Sequence, residues 1–297
     1  MADTAPPPLL DAQMLARLEQ LELVSRRLFL GRMKGERRSP RKGHSSEFAD
    51  FRPYAVGDDL RFLDWNLFAR LDRLFLRLFL EEEDLHVYLL LDASTSMDFG
   101  APSKLHFAKQ VAAALGFVGL VGQDRVVVEA FGEGPPRVSP PLRGRRSLGR
   151  LLDFLDKVGP MGRGDLRASL RHFSLRCSGK GVVVLLSDLM DKGGYEDGLR
   201  YLVARQMDVH VVHVLSPEEL DPDVSGDVKL IDVEDQDEAE LTVSPALVER
   251  YKKTLAAYRA GVLEFCNKRG VDYLFAATQT PFDRLVLTYF RQRGLLR

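Results

Sequence analysis

The sequence predicts an α/β protein with a doubly wound, mostly parallel sheet flanked by helices, and three observations lead to this class. Apolar, β-branched runs recur from residue 86 onward. Runs of this kind are typical of strands buried on both faces of a sheet, and the amphipathic stretches between them favour a parallel order. The first run also ends in a polar cluster, LLLDASTS. In open α/β sheets, ligands bind at such strand ends.

Each element follows from its local pattern. Residues 9–30 carry apolar positions at helical spacing without Gly or Pro, and predict an N-terminal helix. Residues 47–84 are dense in Phe, Leu, Trp and Arg, and predict short strands ahead of the main domain. The strands predicted in the main domain are 86–92, 124–131, 181–188, 208–215 and 271–276. The helices predicted there are 103–121, 146–158, 165–176, 194–206, 245–268 and 281–293.

We expect two parts in this chain, an N-terminal extension of residues 1–84 and a main domain of residues 85–297. One segment of the main domain departs from the alternating pattern. Residues 217–243 hold eleven Asp and Glu against the single Lys229. We interpret them as an acidic β-hairpin inserted before the long helix. A solvated surface excursion is favoured there over a dedicated binding surface.

Composition narrows the function classes. The chain has 297 residues, 45% of them hydrophobic, and a formal net charge of −1, so an ordinary globular core is expected. Cys177 and Cys266 lie far apart, which predicts reduced thiols rather than a disulfide framework. The start MADTAPPPLL lacks the pattern of a signal peptide, and no run approaches the roughly 20 apolar residues of a membrane span. We therefore expect a cytoplasmic protein.

A basic segment, residues 26–42, holds eight Lys and Arg against Glu36. Nucleic-acid binding through this segment is one alternative function, since these charges could neutralise phosphates. Phe29 is the only aromatic residue inside it, so a platform for base stacking is not evident. We favour a solvated loop, or one that pairs with the acidic segment at 217–240 of this chain or of a neighbour.

Polar side chains follow two of the most apolar predicted strands. The first strand runs into Asp92-x-Ser94-x-Ser96, and the strand at 181–188 ends in Ser187-Asp188. Two carboxylates and two hydroxyls form the hard oxygen shell that Mg²⁺ or Mn²⁺ prefers. The competing interpretation is that Asp and Ser here are helix caps and turn formers. The sequence predicts a metal site at Asp92, Ser94, Ser96 and Asp188, with Ser187 and Asp165 as additional or supporting groups.

Two motifs resemble known families. Asp92-x-Ser94-x-Ser96 on this scaffold resembles the metal-ion-dependent adhesion site of von Willebrand factor A-type domains. The string GDDLRFLDW at 57–65 resembles the bacterial family called domain of unknown function 58, over about residues 25–290. The signature residues are Arg52, Tyr54, Gly57, Asp58, Asp59, Arg61, Asp64, Trp65 and Arg70.

The resemblance implies an A-type core that holds Mg²⁺, Mn²⁺ or Ca²⁺. It also implies a partner protein whose acidic residue completes the coordination of the ion, and an association with a MoxR-type AAA+ ATPase. One departure concerns the second loop, where A-type domains supply a Thr ligand and this sequence has GRGD at 162–165. Either Gly164 replaces that Thr or the Thr is deleted. Asp165 either substitutes as a ligand or caps the helix that follows.

The signature region carries more charge than a short apolar stretch normally does. Gly57-Asp58-Asp59 predicts a turn that leads into a strand. We expect the Arg and Asp residues to form an ion-pair network that fixes this region onto the core, with a second partner-contact surface as the alternative. Trp65 is predicted to be buried at that junction.

We expect a binding module rather than an enzyme. A Mg²⁺-dependent hydrolase is the main alternative, because an apolar strand followed by Asp also begins the haloacid-dehalogenase motif. That motif needs a second Asp two positions later, where this sequence has Ser94. The phosphate loop GxxxxGK[ST] and the nucleophile elbow GxSxG are both missing from the sequence.

Overall fold

The computed structural model of the chain describes residues 9–21, 23, 48–79, 85–177, 181–205, 207–224, 226–231, 233–234, 238–289 and 295–296. The chain divides into two compact units, one of residues 1–34 and 85–297 and one of residues 35–84. The basic segment at 26–42 lies outside the described residues, so its interpretation stays a prediction.

Strands and helices alternate through the larger unit. The strands of the chain are β1 (Phe48–Pro53), β2 (Phe75–Phe79), β3 (His86–Asp92), β4 (Arg125–Phe131), β5 (Arg137–Val138), β6 (Gly181–Ser187), β7 (Asp208–Leu215), β8 (Gly226–Ile231), β9 (Glu238–Val243) and β10 (Asp272–Ala277). The helices are α1 (Ala12–Leu18), α2 (Trp65–Leu71), α3 (Lys104–Val121), α4 (Leu148–Asp156), α5 (Leu166–Arg176), α6 (Glu196–Ala204), α7 (Pro217–Leu220), α8 (Pro245–Lys268) and α9 (Phe282–Arg284). The last of these continues as a π-helix at Leu285–Tyr289.

The central sheet has six strands in the order β10-β7-β6-β3-β4-β5, and only the short β5 runs antiparallel. The prediction of a mostly parallel sheet flanked by helices is therefore confirmed. Its strand β3 is buried on both faces. Leu89 and Leu91 contact the core cluster that includes α1, α3 and α4. Leu90 points to the opposite cluster, which includes α5, α6 and α8.

The order of the strands creates a switch point. From β3 the chain moves to β4 on one side of the sheet and then to β6, β7 and β10 on the other side. β3 and β6 are parallel neighbours in register, with Leu91 opposite Leu186. Their carboxyl ends, at Asp92 and Ser187, therefore lie side by side. Helices leave these ends toward opposite faces, which opens the crevice where such sheets bind ligands.

The N-terminal helix is shorter than predicted, because α1 ends at Leu18 and Leu23 forms an isolated bridge with Leu296. The apolar residues continue after the helix ends because the chain keeps packing against the core: both Leu18 and Leu21 are buried in the core of the larger unit. The first helix thus belongs to the larger unit.

The smaller unit contains the antiparallel pair β1–β2 together with α2. Gly57 has a φ of +101° and lies in a turn, as its neighbours predicted. The strand predicted after this turn is wrong, because Leu60–Phe62 forms a 3-10 turn. The cause is local: the Asp59 carboxylate accepts a hydrogen bond from the backbone N–H of Arg61 at 3.1 Å, which closes the chain on itself.

Two ion pairs of the signature residues lie within this unit. Arg52 donates to Asp58 at 2.7 Å and Arg61 to Asp59 at 2.6 Å. Asp64 caps α2 by accepting from the N–H of Leu67 at 2.9 Å. Trp65 is 62% exposed, so the prediction of its burial is wrong. It occupies the first position of α2, and its ring forms a T-shaped contact with the ring of Phe68, with 6.2 Å between the ring centroids.

The acidic insert forms the predicted hairpin. β8 and β9 pair antiparallel from Gly226 opposite Val243 to Ile231 opposite Glu238, as a sheet of their own.

Among the described helices of the chain, none combines the length and the apolar character needed to cross a membrane.

Candidate functional site

The end of β3 places a buried carboxylate at the switch point. Asp92 is 6% exposed and accepts three hydrogen bonds. Its Oδ1 accepts from the backbone N–H of Ser94 at 3.0 Å and from the Ser94 hydroxyl at 2.7 Å. Its Oδ2 accepts from the Ser187 hydroxyl at 2.6 Å. Ser187 itself accepts from the N–H of Leu189 at 2.9 Å, so it supports Asp92 from behind.

The four predicted ligands form one hydrogen-bonded line. The hydroxyl oxygens of Ser94 and Ser96 lie 3.1 Å apart, and the Ser96 hydroxyl donates to Asp188 Oδ2 at 3.1 Å. Asp188 is 3% exposed, and its Oδ1 accepts from the N–H of Met190 at 3.0 Å. The structure therefore brings Asp92, Ser94, Ser96 and Asp188 together, and it places Ser187 next to them.

Backbone hydrogen bonds hold the loops around this line. The N–H of Ala93 donates to the carbonyl of Phe131 at 2.8 Å, and the N–H of Thr95 donates to the carbonyl of Gly162 at 2.8 Å. Gly162 has a φ of +67°, and a Cβ there would lie 2.3 Å from the Glu133 carboxylate. This position therefore requires glycine. Hydrogen bonds thus fix the loop after β3 to the end of β4 and to the loop that contains Gly162.

The loop at 162–165 contains Asp165, which the sequence offered as an additional metal ligand or as a helix cap. Asp165 caps α5, since its Oδ1 accepts from the N–H of Ala168 at 2.7 Å, and its side chain is exposed. Gly164 is the residue of this loop that lies against the site: a Cβ there would be 3.1 Å from Ser94 Cβ. The N–H of Gly164 donates to the carboxylate of Glu234 in the acidic hairpin at 3.4 Å.

Sequence reasoning missed the cation of this site. Lys104, the first residue of α3, is 1% exposed, and its Nζ donates to Asp188 Oδ2 at 2.7 Å and to Glu219 Oε1 at 2.5 Å. Burial acts to lower the pKa of Lys104, but the two carboxylates outweigh it and hold that pKa above its ordinary value. The ammonium is therefore charged. A lysine in the first turn of an apolar helix was the one signal that could have revealed it, because cations are disfavoured there.

The neighbouring titratable groups leave the site rich in negative charge. Burial, and then the charge of Asp188, raise the pKa of Asp92 to about 6, while hydrogen bonds from Ser187 and Ser94 oppose the rise. Burial lowers the pKa of His213 to about 4, so this histidine is neutral at pH 7. Its Nδ1 lies 2.8 Å from the Tyr273 hydroxyl. The ammonium of Lys104 contacts the carboxylates of Asp188 and Glu219, and the carboxylate of Asp92 joins Asp188 through the two serine hydroxyls. The described hydrogen-bonded line thus connects three carboxylates with one ammonium.

The carboxylate and hydroxyl oxygens along this line are of the kind that binds a divalent metal ion. Each serine hydroxyl carries one proton, and both protons are directed at carboxylates. When both carboxylates are ionised, the two hydroxyl oxygens 3.1 Å apart face each other with lone pairs only. A cation would bind to these lone pairs, and the two positive charges of a divalent ion would balance the carboxylate charges that the Lys104 ammonium leaves uncompensated. No three Asp, Glu, His or Cys side chains of the described chain group as ligands, so hydroxyls would have to contribute.

Fold and site together define an α/β protein with an oxygen-rich, negatively charged cluster at the switch point of a mostly parallel sheet. Comparison with known families adds a name to this class. The chain belongs to the family described as Protein of unknown function DUF58, which matches residues 50–261. The membership predicted from the string at 57–65 is therefore confirmed.

Its relatives include mycobacterial proteins. Uncharacterized protein Rv1480 of Mycobacterium tuberculosis is 30% identical over 295 residues, which cover 96% of this chain and 92% of the relative. Uncharacterized protein Mb1516 of Mycobacterium bovis matches to the same extent, at 30% over 295 residues. These names assign no activity.

Two matches among solved structures come from Bacteroides. The conserved hypothetical protein BatB of Bacteroides thetaiotaomicron has 15% identity and a TM-score of 0.43, over 70% of this chain and 98% of that one. An aerotolerance-related membrane protein of Bacteroides fragilis has 17% identity and a TM-score of 0.45, over 70% and 97%. Both scores are below 0.5, a level at which a shared fold does not follow.

Proposed function

We propose that this chain is a protein-binding module that takes a carboxylate of its partner through a divalent ion, Mg²⁺ or else Mn²⁺ or Ca²⁺. The residues that would hold the ion are Asp92, Ser94, Ser96 and Asp188. One observation carries the proposal: these four side chains form a continuous line of polar contacts, in which the hydroxyl oxygens of Ser94 and Ser96 lie 3.1 Å apart between the carboxylates of Asp92 and Asp188. Such a line is the kind of site that the resemblance to A-type domains implies.

The chemistry of the ligands favours binding over catalysis. Hydroxyl ligands are neutral, so an ion held by few carboxylates keeps enough positive charge to attract an anionic group. Asp92 and Asp188 are buried and bonded to their neighbours, which occupies the groups that a hydrolase would use as nucleophile or base. The module is therefore proposed to be non-enzymatic, with a MoxR-type AAA+ ATPase as its partner on the strength of the family resemblance.

The test measures binding of the purified chain to a purified MoxR-type ATPase from the same genome, with Mg²⁺ and with chelator. We expect binding to weaken at least about tenfold, or about 1.4 kcal/mol, in chelator. Asp92→Asn should weaken it equally in Mg²⁺. Asp165→Asn is the matched control and should bind normally, because Asp165 only caps α5. Binding that survives both chelation and Asp92→Asn would contradict the metal-dependent site, and failure to bind in Mg²⁺ would reject this partner.

A further inference from the structure

Lys104 occupies an unusual position for a lysine. It begins α3, directly after Ser103, whose hydroxyl caps the helix by accepting from the N–H of His106 at 3.2 Å. The first turn of a helix carries positive partial charge, so a buried ammonium there is unfavourable by itself. Its burial at 1% exposure therefore depends on the carboxylates that it meets.

Those carboxylates come from two loops at the carboxyl end of the sheet. Asp188 follows β6, and Glu219 lies in the short helix α7 after β7. Glu219 is held in place by a capping box, in which its Oε2 accepts from the N–H of Ser216 at 2.8 Å and its own N–H donates to the Ser216 hydroxyl. The ammonium is thus fixed between one carboxylate of the candidate metal site and one outside it.

The decisive atom is Asp188 Oδ2. It accepts from Lys104 Nζ at 2.7 Å and from the Ser96 hydroxyl at 3.1 Å, while Asp188 Oδ1 is engaged by the N–H of Met190. The oxygen that faces the other candidate ligands therefore already carries a cation. A divalent ion and an ammonium at one buried oxygen repel each other strongly, because the surroundings screen the charges poorly.

We infer that Lys104 is a resident cation that competes with a divalent ion for Asp188 and so sets the metal affinity of this site. The inference rests on the proposed function. In the metal-free protein the ammonium stabilises Asp188. When the ion binds, the ammonium gives up Asp188 Oδ2 and keeps its contact with Glu219. The competition makes the site bind metal weakly unless a further carboxylate, such as that of a partner, adds to the ligands.

The experiment titrates the purified full chain with Mn²⁺ and follows free Mn²⁺ by electron paramagnetic resonance. The main variant is Lys104→Met/Glu219→Gln, which removes one charge of each sign. The net charge around the site therefore equals that of the wild type. A change in the affinity for Mn²⁺ then reports that Asp188 Oδ2 has been freed from the ammonium, and not a change in the net charge. We expect this variant to bind Mn²⁺ at least tenfold more tightly than the wild type.

Glu219→Gln alone is the opposing arm. It leaves the ammonium wholly with Asp188, so we expect weaker Mn²⁺ binding than in the wild type. This arm also decides the inference if the double variant fails to fold, since unchanged or tighter binding in Glu219→Gln overturns it.

The remaining outcomes separate the inference from the proposed function. If the wild type binds Mn²⁺, Asp92→Asn abolishes the binding and the double variant binds no more tightly, the competition by Lys104 is refuted and the metal site stands. If neither the wild type nor the folded double variant binds Mn²⁺ at millimolar concentration, both the inference and the metal-dependent function are refuted.

Discussion

Asp92 shows how a few hydrogen bonds shape the chemistry of a buried group. Its two oxygens accept from Ser94 and Ser187, yet burial beside Asp188 still raises its pKa to about 6. Below this pKa, a proton on Asp92 could complete the line of hydroxyls toward Asp188. Above this pKa, Asp92 is ionised and no proton is available between the two serine hydroxyls, which is the protonation state suited to a bound cation. At the proposed metal site, binding of the ion and protonation of Asp92 would therefore exclude each other.

The raised pKa makes a prediction about stability in chelator. The folded state binds the proton of Asp92 more tightly than the unfolded state, so this group favours folding at low pH, and that contribution is lost as pH rises from about 4 to about 6. Asp92→Asn removes this dependence. The free energy of unfolding of the variant, minus that of the wild type, should rise by about 3 kcal/mol across this interval.

Urea unfolding at pH values from 4 to 8 measures this difference, and the contribution of His213 cancels because both proteins contain it. A difference that stays flat with pH would mean that Asp92 titrates normally in the folded protein.

At the scale of elements, the site is built at the carboxyl ends of neighbouring strands. Asp92 ends β3, Asp188 follows β6, Glu219 lies in α7 after β7, and Lys104 begins α3. The acidic hairpin contributes less to this arrangement. Its strands pair only with each other among the described residues, and its described side chains are absent from both core clusters.

The hairpin is therefore expected to be dispensable for folding. Gly226 pairs with Val243, so its two ends are neighbours and a short Gly-Ser linker can replace residues 227–242. We expect the free energy of unfolding to change by less than about 1 kcal/mol, because the two strands pair with each other and no described hairpin residue belongs to a core cluster. Thermal unfolding followed by circular dichroism checks this. A drop in Tm of more than about 4 °C would assign the hairpin a structural role.

At the scale of the whole molecule, the sheet separates two apolar layers. α1, α3 and α4 cover one face, and α5, α6 and α8 cover the other. Adjacent residues of β3 therefore belong to different layers and are both buried, with Leu89 0% and Leu90 1% exposed. A half-exposed sheet would bury every second residue only.

Because both faces of the sheet are covered, neighbouring residues of β3 should be equally sensitive to truncation of their side chains. Leu89→Ala and Leu90→Ala should each lower the free energy of unfolding by about 3 kcal/mol, because each leaves a cavity in a closed layer. Leu175→Ala is the control: Leu175 is 76% exposed, so the change should stay within about 0.5 kcal/mol. Urea unfolding of the three variants gives the comparison. A neutral result at either β3 position would mean that its layer is open.

Much of the fold was readable in the sequence because burial on both faces leaves continuous apolar runs. The predicted strands at 86–92 and 208–215 coincide with β3 and β7. Local patterns failed where packing overrode them, as at the end of α1, whose later leucines face the core without continuing the helix. They failed again at Trp65, since a large apolar side chain does not by itself specify burial.

The sequence by itself predicted the parallel sheet, the acidic hairpin, the family and the four polar side chains of the candidate site, because strand ends and short motifs are local features of the chain. Only the tertiary structure decided which cation meets them. Lys104 lies 84 residues from Asp188 and 115 from Glu219, and the three join because β3, β6 and β7 are neighbours in one sheet. An ion pair between distant loops depends on strand order, and no local pattern encodes it.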